Sequence, residues 1–303
     1  MHAWLRTAAA LTTAALLNSC SGIVPDQDPA PYATRPEAWP FQIGGVQAWA
    51  LREGAKRLAN DTRIFGVGQT PEAVDQALEA RGLAANGIDI SFQPLLLRTG
   101  NRLILLDAGS VSNAGPGVGL LVQSLRQAGY DPDDVTDVVI SHGHPDHAGG
   151  LATPEGTATF PVASIHISAE EWDQIQRTPA LAKVTRGIAA QVLTFTPGDS
   201  PVPGIETIDL SGHTPGHVGI RIRSDGDSLF YVGDGLHHPV LSVDHPEWPM
   251  VFDRDPAITT GRRLSLMTAA AESGERLYVT HFPYPGIGRI QQSGTGYAWV
   301  PEY

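Results

Sequence analysis

Residues 141–150 read Ser141-His142-Gly143-His144-Pro145-Asp146-His147-Ala148-Gly149-Gly150. Three histidines and one aspartate fall within six residues, in a chain that has 11 histidines in all. Neutral imidazole and carboxylate are the ligand types for zinc and for late first-row metals generally. Pro145, Gly143, Gly149 and Gly150 suit a tight loop whose side chains diverge, so one loop can serve two adjacent ions. The loop follows directly on a buried strand expected over Val135 to Ile140. A solvated histidine-rich turn would have no need of that strand.

Working outward, apolar runs at Phe92–Leu97 and Leu103–Leu106 flank Thr99-Gly100-Asn101 and predict a hairpin. Gly44-Gly45 before Val46, Ala48 and Ala50 predicts a first strand, and Thr70-Pro71 opens a short helix over 71–82. A helix is expected from Val118 to Gln127. Short strands are expected at Ser164–Ile167, Val192–Phe195, Ile205–Ile208, Val218–Ile222 and Ser228–Val232. A late helix has Asp255 as N-cap and Pro256 at its first position, runs to about Ala271, and precedes a strand at Leu277–Thr280. No repeat and no second linker appear. The glycines at 115, 117 and 119 do not follow a strand in a dinucleotide-binding pattern. Asp107, His142, Asp234 and His281 each follow an apolar strand-like run, so all four can converge on one rim of a sheet core.

The motif His-x-His-x-Asp-His resembles the signature of the metallo-β-lactamase superfamily. Ser211-Gly212-His213-Thr214-Pro215-Gly216-His217, Tyr231-Val232-Gly233-Asp234 and Thr280-His281 resemble its later motifs, in order. Leu106-Asp107-Ala108-Gly109 resembles its early Asp-x-Gly element. The resemblance covers residues 40 to 303 and implies an α/β fold, an αββα sandwich, as a single catalytic domain over 41–303. It assigns His142, His144 and His213 to one ion and Asp146, His147 and His281 to a second, with Asp234 bridging. Asp107 and His217 would support the ligands from behind. The implied cofactors are two divalent ions, zinc first among them. Ions roughly 3.5–4 Å apart can share a water and activate it as hydroxide. Asp146 would orient that nucleophile or pass its proton to the leaving group.

The C-terminal stretch His281-Phe282-Pro283-Tyr284-Pro285-Gly286 resembles the methyl parathion hydrolase-like branch, which includes lactone-cleaving enzymes. The segment Leu236-His237-His238-Pro239 departs from that branch beside the pocket. The ligand motifs hold no Arg or Lys, although Arg254, Arg262, Arg263 and Arg289 lie in the later segments, which favours a neutral lactone, carboxylic ester or phosphotriester. Trp172, His238 and Phe282 are expected along the substrate pocket, with Trp248, Phe252 and Tyr284 as further aromatic candidates. Alternatives are an exported β-lactamase, an iron-dependent oxidoreductase on the same fold, and a metal-stabilised binding lipoprotein.

The 303 residues are 42% hydrophobic and 17% charged, enough for a sizeable core. A formal net charge of −12 and the lack of a basic stripe argue against nucleic acid; the small-molecule substrate is what the resemblance implies. Arg6 precedes the apolar run Ala8 to Leu17, too short to span a bilayer but suited to a signal peptide over residues 1–20. Leu17-Asn18-Ser19-Cys20 resembles the lipobox of bacterial lipoproteins. The expectation is export to the periplasm with membrane anchoring through lipidated Cys20, and a proline-rich linker over 21–40. Cys20 is the sole cysteine, which excludes an intrachain disulfide and a cysteine-rich zinc site.

Overall fold

The run Leu95-Leu96-Leu97 has no polar face, and the fold gives it none. In the computed structural model, which describes residues 35–111 and 114–302, Leu95 and Leu97 belong to one apolar core and Leu96 to another. The expected signal peptide, Cys20 and most of the expected linker lie outside the described residues. No helix among the described residues is long and apolar enough to cross a membrane.

The first sheet has the order β1 (Ala38–Ile43), β2 (Val46–Leu51), β5 (Leu95–Thr99), β6 (Arg102–Leu106), β7 (Asp137–Val139), β8 (Ser164–Ser168), β9 (Val192–Phe195). Its first four strands pair antiparallel, and β6 to β9 run parallel. Strand period 2 divides the side chains between two cores. Leu103, Leu105 and Val138 face one core, while Ile104, Leu106 and Val139 face the other.

The second sheet has the order β10 (Ile205–Asp209), β11 (Val218–Ser224), β12 (Asp227–Tyr231), β13 (Arg276–Tyr278), β14 (Ile287–Ser293), β15 (Gly296–Pro301). Only β12 and β13 are parallel. Ile220, Ile222, Leu229 and Tyr231 meet the first sheet in the central core. Phe230 and Leu277 turn the other way, onto Leu266, Met267 and Ala270 of a helix at Pro256–Ser273. Each fully buried side chain of this kind contributes about 1.5–3 kcal/mol.

The remaining helices are α1 (Pro71–Glu79), α2 (Leu121–Gln127), α3 (Pro145–Ala148), α4 (Ala169–Arg177) and α5 (Ala182–Ile188), which makes the last helix α6. Leu121, Leu125, Ile175, Val184 and Ile188 of α2, α4 and α5 cover the outer face of the first sheet. Two sheets face to face with helices outside both give the expected αββα sandwich.

The structure departs from the sequence reading in several places. The first strand begins at Ala38, inside the stretch read as linker, and Gly44-Gly45 is the turn that follows it. Pro40 is tolerated there because β1 is an edge strand. A two-stranded ribbon, β3 (Gly54–Ala59) with β4 (Gly87–Phe92), was not expected, nor were α4, α5 and the β14–β15 hairpin. Helix α6 matches its reading: the Asp255 side chain accepts from Ile258 N, and Gly274 ends the helix at φ +65°.

Candidate metal centre

Parallel pairing brings the expected residues together. Asp107 follows β6, His142 lies just beyond β7, Asp234 just beyond β12, and His281 just beyond β13. Both pairs end on the same rim, where the two sheets meet. The short helix α3 then adds Asp146 and His147, with extended His144 as its N-cap residue.

Two groups of donor atoms form there. His142 Nε2 and His213 Nε2 each lie 3.0 Å from His144 Nδ1. Asp234 Oδ2 is 3.1 Å from His213 Nε2 and 3.5 Å from His142 Nε2. In the second group, His147 Nε2 and His281 Nε2 are 3.3 Å apart, and Asp146 Oδ2 stands 3.7 and 3.6 Å from them. Asp234 Oδ1 faces this group at 3.0 Å from His147 and 3.1 Å from His281. Ligands at 2.0–2.1 Å around a tetrahedral ion are separated by about 3.3 Å. These spacings fit that geometry, and the buried Asp234 Oδ1 has no hydrogen-bond donor of its own among the described residues. Each group can hold a metal ion.

The ring nitrogens that face away are held from behind. Asp107 Oδ2 accepts from His147 Nδ1 at 2.7 Å, from Ser141 Oγ at 2.7 Å and from the Tyr231 hydroxyl at 2.6 Å, while Oδ1 accepts from Ser141 N. Asp107 adopts φ +60°, a strained backbone for a residue with a side chain. Asp253 accepts from His213 Nδ1 at 2.9 Å and is itself paired with buried Arg263. His281 Nδ1 donates to the Ser91 carbonyl at 2.9 Å. Such partners fix tautomer and ring orientation.

Burial and charge split the titrations. Burial, then the His147 charge, pushes His142 far below its usual range, and burial with the His213 charge brings His144 to about 4. Burial also lowers His213, but Asp234 and Asp253 outweigh it and lift this imidazole to about 9. Burial opposes ionisation of Asp234, yet the charges of His147 and His281 hold it well below the usual carboxylate range.

The metallo-beta-lactamase superfamily model matches residues 94–281, from the start of the β5–β6 hairpin to the last histidine. The chain belongs to this superfamily. A probable metallo-hydrolase of Mycobacterium tuberculosis is 27% identical over 218 residues, 58% of this chain and 68% of that protein. An N-acyl homoserine lactonase of Bacillus cereus is 29% identical over 148 residues, 48% of this chain and 55% of its own length. Among solved structures, the dizinc quorum-quenching lactonase AidC superposes with a TM-score of 0.84 at 28% identity, covering 88% of this chain and 98% of AidC. The hydrolase AbOPH gives 0.81 at 28% identity, covering 89% and 99%. The chain is a metal-dependent hydrolase.

Within this metallo-β-lactamase fold, a residue absent from the sequence reading ties two loops together. Buried Glu171 of α4 accepts from Gly143 N at 2.6 Å and from Gly216 N at 2.7 Å. Gly143 lies between His142 and His144; Gly216 lies between His213 and His217. Ser168, the N-cap of α4, donates to the Gly216 carbonyl at 2.9 Å. A Cβ on Gly216 would stand 2.3 Å from Ser168 Oγ, so only glycine allows the approach. Asp253 is the other supporting residue the sequence reading missed. Its only signal was adjacency to Arg254-Asp255, ahead of the helix cap.

His217 is buried, bonds the Leu210 carbonyl through Nδ1 at 3.2 Å and accepts from Asp234 N through Nε2. It props the Asp234 turn. Three positions expected along the pocket lie elsewhere. Phe282 is fully buried in the core under α6, edge-on to Trp299 at 4.9 Å. Trp172 packs on the core of the first sheet. His238 is turned away, its Nδ1 accepting from the backbone of Val240 and Leu241. Its neighbour His237 takes the place by the centre, with Nε2 3.2 Å from Asp234 Oδ2 and its ring stacked on His281.

A cavity of about 390 Å³ opens onto His144 and His213. Phe252 walls it, edge-on to His144 at 6.2 Å, and Gln174, Arg177, Thr214 and Arg254 complete most of its lining. A larger cleft of about 640 Å³ lies between α6 and the outer strands, remote from both donor groups. Its arginines are paired with carboxylates, as in the two-point bond of Arg221 to Glu275, so it is a structural ion-pair network.

Proposed function

We propose that this protein is a dinuclear hydrolase of lactones or related esters, with two divalent ions, zinc first among them. His142, His144 and His213 would hold one ion, Asp146, His147 and His281 the other, and Asp234 both. The observation that carries the reading is Asp234, whose two oxygens face separate donor groups at 3.0–3.1 Å. The similarity to AidC over nearly its whole length and to the Bacillus N-acyl homoserine lactonases favours a lactone as the first substrate to try. The methyl parathion hydrolase-like tail keeps phosphotriesters in the set.

When bound, the ion pair would lower the pKa of a water towards neutrality and polarise the scissile carbonyl. The chain's own part is positioning. Asp107, Asp253 and the Ser91 carbonyl hold three imidazoles in the tautomer that turns Nε2 inward. Asp146, the carboxylate of the centre with part of its surface exposed, would turn Oδ2 to the ion and can carry a proton on its other oxygen to the departing alkoxide. His237 lies where a ring N–H can meet developing negative charge.

The test is a turnover screen of the zinc-loaded protein on N-acyl homoserine lactones, simple γ-lactones, activated esters, paraoxon-type triesters and a chromogenic cephalosporin. Lactone or ester turnover that chelation abolishes and zinc restores supports the reading. Cephalosporin turnover alone would make the protein a β-lactamase. Bound iron with oxygen uptake and no hydrolysis would move it to oxidoreductase chemistry.

A further inference from the structure

The cavity beside His144 and His213 is built of donors. Its eight lining residues include two guanidiniums, Arg177 and Arg254, and no carboxylate. That is a reversal for a chain with 32 acidic and 20 basic residues, where a random patch would be net acidic. Arg254 has no side-chain partner among the described residues, although its backbone is anchored: Arg254 N donates to the His213 carbonyl at 3.1 Å, and Asp255 N to that of Gly212 at 3.0 Å. The guanidinium is therefore carried by the same loop pair that carries a candidate ligand. Arg177 is tied only to exposed Asp173, four residues back on α4, at 3.2 Å. Such an exposed pair is weak and exchanges readily.

The cavity wall is also unsatisfied. The Thr214 hydroxyl belongs to a residue only 2% exposed and has no hydrogen-bond partner among the described residues. A purely alkyl substituent entering here would offer that hydroxyl no acceptor. An anionic, hydrogen-bonding group would instead satisfy Thr214 and neutralise Arg254. Guanidinium matches carboxylate with two parallel hydrogen bonds.

We propose that this cavity binds a carboxylate carried by the substrate away from the bond that breaks, with Arg254 as its principal partner and Thr214 and Arg177 assisting. The scissile lactone or ester remains uncharged; the selectivity lies in its appendage. This inference rests on the hydrolase reading above and narrows its substrate class.

The experiment uses the zinc-loaded full chain with two esters that share one leaving group: mono-4-nitrophenyl adipate, with a free carboxylate, and its methyl ester. The expected kcat/KM is at least tenfold higher for the acid. In Arg254→Ala that ratio falls at least tenfold, chiefly through KM, and Arg254→Lys recovers part of it. Raising ionic strength lowers the ratio in the wild type and not in Arg254→Ala. Turnover of the methyl ester with no advantage for the acid, or a ratio that Arg254→Ala leaves unchanged, overturns the inference and leaves the hydrolase standing. Failure to hydrolyse either ester, or the lactones above, overturns both.

Discussion

Asp107 Oδ2 stands 2.7 Å from Nδ1 of His147, and the same oxygen accepts from Ser141 Oγ and the Tyr231 hydroxyl. One buried carboxylate thus sets the ring of His147, the start of the His142 loop and the end of β12. It joins both sheets at the rim where the donor groups form.

Replacing Asp107 with Asn should leave the fold intact but weaken ion binding at the His147–His281 group by about 10–100-fold. The amide can still accept one hydrogen bond, but it cannot favour the tautomer with Nε2 free. Competition against a zinc chelator measures this. An unchanged affinity at both sites would deny Asp107 that role.

Glu171→Ala should act on the other group. It strips the acceptor from two buried backbone N–H groups, at about 1–3 kcal/mol each, and frees the His142–His144 loop from the His213–His217 loop. Selective loss of one ion per chain is expected, with Glu171→Gln intermediate because one oxygen remains. Equal weakening of both ions would indicate only a general loss of stability.

Loading the protein with zinc should release protons. His213, lifted to about 9 by Asp234 and Asp253 against its burial, holds a proton at neutral pH in the metal-free chain. An ion requires that imidazole neutral. Affinity should therefore fall as pH drops below about 9. Calorimetry in buffers of different ionisation enthalpy should count at least one proton released at pH 7; none released would contradict the assignment of His213.

Glu53 gives a stability prediction of unusual sign. Burial raises it to about 7, despite hydrogen bonds from the backbone of Ser110, Gly119 and Leu121. Between the ordinary glutamate range and pH 7 the folded chain binds more protons than the unfolded one, so this residue's contribution to stability falls as pH rises. Chemical denaturation of Glu53→Gln against wild type should show that slope removed from pH 4.5 to 7. Parallel profiles would refute it.

The centre was legible in the sequence because its chemistry is concentrated. His142 to His147 form one run, Asp234 and His281 follow strands whose apolar character is plain, and His213 sits in a Gly-His-Thr-Pro-Gly-His segment that resembles the superfamily's. The supporting residues were less visible. Glu171 sits in Ala-Glu-Glu-Trp, where only folding distinguishes a buried carboxylate from the solvated Glu170 beside it. His237 and His238 are chemically identical, and the backbone after the Gly233–Gly235 turn decides which one faces Asp234. Phe282 reads as a pocket aromatic from its place beside His281, yet in the turn that follows β13 its side chain enters the core under α6. The sequence shows Arg254 but not that it joins Arg177, far from every ligand motif, in one cavity wall. The β3–β4 ribbon was missed because Gly54-Ala55-Lys56-Arg57 lacks β-branched residues.

The most direct test is anomalous diffraction at the zinc edge on crystals of the zinc-loaded protein, wild type and Asp234→Ala. Two peaks are predicted in the wild type, one within each donor group and both against Asp234, with at least one lost in the variant. A single peak in the wild type, or two peaks that persist at full height without Asp234, would contradict a dinuclear centre bridged by that carboxylate.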